Sequence, residues 1–416
     1  MGEIQWSEAW RDSRVTGGER ERLRAPLESR QAARQPDLAR DSPREPMVLG
    51  CLRPCPPAAV PRPPMHRAPR LSPRALRGLT TAALLGLSAC SQPDLVVYVS
   101  LDQEFSQELI QEFEAQTGLN VRAEYDTEAN KTVGLVQRII EEAKVPRCDV
   151  YWNNEVAQTV RLANLGFLAP YTSPSAEGIP DQFKDPQGRW TGFAARARCL
   201  IVNTDLVADP ESIQGMWDLL DPRWAGSVAF ARPLTGTTLT HACALFDAIG
   251  EEAALRYLTT IAEGSALDSP PVHVAQSNGR TRQLVESGQL AWAWTDTDDF
   301  NVARLKGAPV MRILPDQEPG PEGQPPLGTL LIPNTIAILR DASHRSAAER
   351  FVDWVLSEEI EERMAFSRSA QIPVRASVSR PPHVASDLVA MRVSYAALGA
   401  QIADRTRTLK DLFLNP

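Results

Sequence analysis

The run WAWTDTDDF, residues 292–300, passes from a strand-like apolar alternation directly into Asp296, Asp298 and Asp299. Carboxylates this close repel one another. In a partly closed site that repulsion raises their pKa values unless a cation or several hydrogen-bond donors compensate. The candidate partners are a helix end, a proton, a hard metal ion or an amine. DDFNVARLKG reads as a helix closed by Gly307, so one or two of the three are accounted for as caps on its N-terminus. The remainder point to an oxygen-only site of the kind that suits Fe³⁺, Mn²⁺, Mg²⁺ or Ca²⁺. A protonated amine held by carboxylates, with Trp152 or Trp294 beside it, is the other reading.

Other groups able to meet a ligand stand where strands give way to helices, the place at which open α/β sheets receive small molecules. Ser100 and Asp102 follow the run LVVYVS, and Asp102 serves equally as a helix cap. In YDTEANKT, Thr127 and Lys131 precede a helical pattern, and in YWNNEV, Asn153, Asn154 and Glu155 follow a strand. Two successive amides usually mark a turn, but in a cleft they offer donors and acceptors together. In RPLTGTTLTHA, Gly236 permits a tight turn, while Thr235, Thr237 and Thr238 supply hydroxyls and N–H groups at a helix start, a natural anion cradle. Arg196 and Arg198 add positive charge, and one of the two is expected to point away from the cleft on an alternating strand.

Nothing comparable speaks for catalysis. There is no G-x-S-x-G nucleophile signature and no H-E-x-x-H, and His241, His273, His344 and His383 are widely spaced. His241 sits in THACALF, where a satisfied core histidine is expected. The chain therefore reads as a non-enzyme. A hydrolase using two of the aspartates as acid and base is the rival from another class, and a ligand sensor reporting to a membrane receptor is a third.

The formal net charge is −8 over 416 residues, and the leader is net basic, so the body behind it is more acidic still. Such a body has no electrostatic case for nucleic acid. Residues 1–64 are rich in Arg and Pro without apolar periodicity, which describes a disordered or wrongly assigned extension. Met65 opens an export signal: Arg67, Arg70, Arg74 and Arg77, then the short apolar run from Leu79 to Leu87, too short to span a bilayer. It ends in Leu87-Ser88-Ala89-Cys90, similar to a bacterial lipobox, which implies lipidation at Cys90 and an exported, membrane-anchored protein. Cys148, Cys199 and Cys243 lack metal-ligand spacing and read as buried free thiols, with one bridge possible.

The elements that must position these groups alternate. LVVYVS, NVRAEY and CDVYW read as strands separated by the helices of QEFSQELIQEFEAQTG and KTVGLVQRIIEEAK, with Gly118 closing the first. RCLIVNT, SVAFARP, QLAWAW and TIAIL continue the strands, and AAERFVDWVLSEEIEERMA reads as one strong amphipathic helix. This order predicts an α/β fold with a mostly parallel sheet covered on both faces. PDQEPGPEGQPPLG, 315–328, is the long Pro/Gly-rich loop.

Taken in order, VVYVSLDQEFSQELIQEFEAQTGLNV, RARCLIVNTDLV, PRWAGSVAFARPLTGTTLTHA and LIPNTIAILRDASHRSAAERFVDWVLSEEIEERMA resemble the bacterial extracellular solute-binding proteins of ABC transporters, of the ferric-iron-binding type. The resemblance covers roughly residues 95–375. It implies a two-lobed periplasmic-binding-protein type II fold, mixed and mostly parallel sheets with hinge strands, and a ligand held in the cleft and presented by a monomer to a permease and its ATPase. On that template residues 94–196 and 327–416 form one lobe, 197–312 the other, and 313–326 a loop. It further implies a metal ion, iron first, as transported ligand rather than cofactor. The metal set would be Asp102, where relatives place a His or Tyr, with Glu155, Asp296 and Asp298, and a small anion would sit beside Thr235–Thr238. Relatives of this architecture also take sugar phosphates, phosphonates or polyamines. One departure is large: the adjacent tyrosine pair that holds iron in such relatives is replaced here by the aspartates, since no tyrosine occurs between Tyr257 and Tyr395.

Overall fold

In the computed structural model the described residues are 92–126, 132–320, 325–386 and 388–414. The leader, Cys90, Thr127 and Lys131 lie outside them. The chain begins with β1 (Leu95–Val99), α1 (Gln103–Thr117), β2 (Val121–Tyr125), α2 (Val133–Glu141), β3 (Val150–Asn153), α3 (Ala157–Asn164), β4 (Leu168–Ala169) and β5 (Thr191–Asn203). It continues with β6 (Val228–Ala231), α4 (Gly236–Ala248), α5 (Glu251–Ser265), β7 (Val272–Ala275), α6 (Asn278–Glu286), β8 (Trp292–Asp296), α7 (Thr297–Leu305) and β9 (Val310–Ile313). β10 (Leu331–Leu339), α8 (Arg345–Val355), α9 (Glu358–Phe366) and α10 (Tyr395–Leu414) complete it.

The strands run in the order β2-β1-β3-β10-β5-β8-β6-β7, with β4 on β10 and β9 on β5. β1 is parallel to β2 and β3, and β6 is parallel to β7 and β8, whereas β10 and β5 pair antiparallel with all their neighbours. Two parallel βα units, each with its own apolar core, are thus joined through antiparallel crossing strands. Every residue of β5 is buried over its 13 positions. Its first half pairs with β10 (Thr191↔Ile336 to Ala197↔Leu331) and its second with β8 (Arg198↔Asp296 to Val202↔Trp292). Ala194 takes a φ of 39° within this strand, opposite a register shift between Pro333 and Asn334. Such an irregularity bends a strand locally, here beside the point where β5 passes from one lobe to the other.

The buried residues explain the local choices. Leu109, Ile110 and Phe113 of α1 face the core at helical spacing, and Gly118 at φ 72° closes the helix by donating its N–H to the Glu114 carbonyl. RCLIVNT is the second half of a longer strand, because Thr191–Ala197 pairs with β10 on either side of Ala194. The expected single helix of 347–365 is two, α8 and α9: Ser357 leaves the helical region at ψ 151° and its hydroxyl accepts the Ile360 N–H at 3.3 Å, starting a new helix. The sequence pattern also omitted α10. Its Leu398, Ile402, Leu409 and Phe413 are buried against both α3 and α4, with Gly399 seated directly on Val160. Cys148, Cys199 and Cys243 are buried free thiols, as expected.

Candidate functional site

Where the strand ends of both lobes meet lies a cavity of about 510 Å³, the size of a small-molecule site rather than of an ion alone. Asp102 at the head of α1 and Asn154 after β3 contribute one wall. Arg196 of β5, Thr235–Thr238 entering α4, Ser277–Gly279 entering α6, and Asp296, Asp298 and Asp299 at the β8–α7 junction contribute the other. The N-termini of α1, α4, α6 and α7 therefore converge on it, each bringing the positive end of its dipole. Gly236 sits at φ 59°, a left-handed conformation that suits glycine as β6 turns into α4.

The aspartates are already partnered. Asp296 is the register partner of Arg198, and Arg198 Nη1 lies 2.5 Å from its Oδ1. Its Oδ2 accepts from the Thr237 hydroxyl and, at 3.1 Å, from Asn278 Nδ2. Arg196 Nη1 donates to Asp298 Oδ2 at 2.8 Å and stands 3.9 Å from Asp296 Oδ2. Asp299 Oδ1 lies 3.3 Å from Arg282 Nε, and its Oδ2 accepts the Thr295 hydroxyl at 3.1 Å. Asp296 occupies the N-cap position of α7 yet makes no side-chain cap, and Asp102 makes none on α1. Asp298 Oδ1 alone of the set serves the helix start, accepting the Asp299 N–H at 3.0 Å, and guanidinium groups supply the rest of the compensation. Burial alone would favour a neutral Arg196, but Asp298 and then Asp296 hold its pKa above the ordinary arginine value.

Arg196 and Arg198 both turn to the aspartate side, contrary to the expected divergence, because residues two apart on a strand share a face. Arg198 is fully buried, and its guanidinium carbon lies 5.7 Å from the Trp294 ring centre. Trp152 and Trp294 are themselves buried in the core and do not line the cavity, so neither offers a ring face to a ligand there. His241 is buried, its ring centre 4.7 Å from that of Trp294 with the planes tilted by 44°, and keeps Nδ1 without a hydrogen-bond partner among the described residues, so it is core but not satisfied. Burial, then Arg198, holds its pKa well below the ordinary histidine value.

Of the expected ligand residues, the structure brings together Asp102, Asn154, Arg196, Thr235, Gly236, Thr237, Thr238, Asp296, Asp298 and Asp299. It does not bring Glu155, Asn153 or Ser100 to the cavity. Glu155 accepts the Ala157 and Gln158 N–H groups at 2.6 and 2.8 Å, capping α3, with Asn153 Nδ2 and the Thr240 hydroxyl on the same carboxylate. Burial, outweighing those bonds, raises its pKa. The expected metal set of Asp102, Glu155, Asp296 and Asp298 therefore loses its second member. The acidic cluster that remains is Asp296, Asp298 and Asp299, one oxygen of each lying within 4.8 Å of the others. Ser100 donates to Asp126 at 2.6 Å, away from the cavity.

Sequence reasoning passed over Arg232, the Ser277-Asn278-Gly279 turn, Arg280 and Arg282, all of which line the cavity. Ser277 Oγ caps α6 through the Arg280 N–H at 3.2 Å. The Ser-Asn-Gly run between a strand and a helix was the available signal. Arg232 and Arg280 are exposed and form no ion pair among the described residues.

The two-lobed α/β body gathers its strand-end loops around this cavity. Residues 108–391 match the family described as bacterial extracellular solute-binding protein, and the chain belongs to that family. It is 25% identical over 329 residues to "Iron uptake protein A1" of Synechocystis sp., covering 77% of this chain and 87% of that one. The solved "Ferric binding protein from Campylobacter jejuni" superposes with a TM-score of 0.66 at 19% identity, covering 76% of this chain and 99% of that one. The periplasmic binding protein AfuA from Actinobacillus pleuropneumoniae, solved with fructose-6-phosphate, gives 0.65 at 20%, with coverages of 77% and 99%. At these identities the two structures establish the shared fold.

Proposed function

We propose that this protein is the lipid-anchored solute-binding subunit of an ABC importer, and that its cavity seats the anionic group of a small organic solute at the N-termini of α4 and α6. One observation carries the reading. The three aspartates of the β8–α7 junction are already paired with Arg196, Arg198 and Arg282, while Arg232, Arg280 and the helix ends are left to face a ligand. A cavity of about 510 Å³ also has room for a molecule. AfuA, solved with fructose-6-phosphate, is a neighbour of this fold that accommodates an organic phosphate. The permease and ATPase partners, the anchor at Cys90, and the division into lobes 94–196 with 327–416 and 197–312 are parts of the same proposal.

A ferric ion accompanied by a small anion is the second reading. The carboxylate oxygens within 4.8 Å of one another favour it, as does the similarity to an iron uptake protein. The arginine pairs count against it, because a trivalent ion among those carboxylates would stand against Arg196. No tyrosine lines the cavity among the described residues.

Thermal-shift titration separates the two, since a ligand that binds only the folded state raises its melting temperature. Phosphate esters should stabilise the protein and lose that effect in Arg232→Ala while keeping it in Asp298→Ala. Stabilisation by Fe³⁺ with citrate, abolished in Asp298→Ala and absent with every ester, would overturn the organic reading. Release of Cys90→Ala from the membrane fraction tests the anchor.

A further inference from the structure

Two buried polar atoms on touching residues of the cavity have no hydrogen-bond partner among the described residues. Asn154 is 1% exposed and lines the cavity, and its Oδ1 is an acceptor without a donor. Arg196 is 3% exposed and lines it too, and its Nε is a donor without an acceptor. The residues are in contact, Arg196 Nη2 donating to the Asn154 backbone carbonyl at 3.3 Å. Buried donors and acceptors left unmatched are costly and uncommon in folded proteins, and in a binding cavity a ligand is the natural source of both partners.

The chemistry of the missing group follows from what each atom needs. A phosphate or carboxylate has only acceptors, so it answers Arg196 Nε and leaves Asn154 unmet. An ammonium has only donors, so it answers Asn154, and its charge is placed against a guanidinium. A hydroxyl donates one hydrogen bond and accepts others, and alone among these groups it meets both atoms.

Resting on the organic-anion reading above, we infer that the solute is a hydroxylated anion, a phosphorylated or carboxylated polyol, with one hydroxyl placed between Arg196 Nε and Asn154 Oδ1 and its anionic group toward Arg232 and the α4 and α6 N-termini. Asn154 and Arg196 are then the residues that set specificity for a hydroxylated chain over a bare one.

Calorimetric titration with three phosphate monoesters of equal chain length tests this: ribitol 5-phosphate, n-pentyl phosphate and 5-aminopentyl phosphate, with ribonate replacing phosphate by carboxylate. Ribitol 5-phosphate or ribonate should bind at least about tenfold more tightly than pentyl phosphate, because a site built to hydrogen-bond a hydroxyl rejects the analogue that lacks it. Asn154→Leu should erase that preference. Asn154→Ala, the smaller change, serves if the leucine variant does not fold. Equal binding of the ribitol and pentyl esters, or tightest binding of the aminopentyl ester, overturns the hydroxyl assignment while the anion site stands. If none of the four binds and Fe³⁺ with citrate does, the organic reading itself falls, and this inference with it.

Discussion

Arg198 and Asp296 face each other as register partners across the β5–β8 ladder, with Nη1 2.5 Å from Oδ1 and both side chains withdrawn from solvent. A buried pair of this kind is worth little relative to two well-packed apolar residues, but breaking it strands a charge. Asp296→Asn should therefore cost on the order of 3–5 kcal/mol of folding stability. The double variant Arg198→Met, Asp296→Leu should cost less than the single. Urea denaturation of the three proteins checks this, and equal losses in single and double variants would contradict it.

Glu155 belongs to the framework. Glu155→Gln replaces one acceptor by a donor facing N–H groups at the head of α3, and should lower stability by about 1–3 kcal/mol. Fe³⁺ or ester binding, measured by calorimetry at a temperature where the variant is folded, should be unchanged. A loss of metal affinity without loss of stability would restore Glu155 to the ligand set.

Gly399 on α10 has no room for a side chain, since an added Cβ would collide with the Val160 side chain and lie 3.0 Å from the Ala157 carbonyl oxygen. Gly399→Ala should destabilise by about 1–3 kcal/mol through overpacking. Combining it with Val160→Ala should recover part of that loss. Denaturation midpoints of the four-member cycle provide the measurement.

Asp316 supplies a pH dependence. Burial first, then the neighbouring Asp218 charge, raise its carboxyl pKa to about 7 from an ordinary 3.8, against the Met216 N–H bond that lowers it. The folded state therefore holds the proton more tightly than the unfolded one. Its stabilising contribution is complete below pH 3.8 and is lost as pH rises to about 7. Asp316→Asn keeps the acceptor for the Met216 N–H at 3.1 Å and removes the titration. Its advantage over wild type should grow between pH 4 and 7, reaching up to about 4 kcal/mol above neutrality, and stay level beyond. Melting curves across that range that run parallel for the two proteins would refute it.

Local pattern revealed the βα alternation, the strand-end loops and the aspartates, because each is written in contiguous residues. What it concealed was the company those aspartates keep. Arg198 is 98 positions from Asp296 and Arg196 is 102 from Asp298, and only the antiparallel β5–β8 register brings them face to face. Glu155 looked like a ligand because it follows a strand, and it lost that role to a helix end two residues away. The break at Ser357 was written as a cap residue inside an otherwise continuous apolar pattern. α10 went unread because the family resemblance stopped short of it.

α10 lies on α3 behind one lobe and on α4 and α5 behind the other, and Arg405 fastens it to the Cys243 carbonyl and to Asp247. Any relative swing of the lobes must keep that rear contact or tear it. α10 is therefore a strap across the two βα units, and a variant that loosens it would let α3 and α4 part.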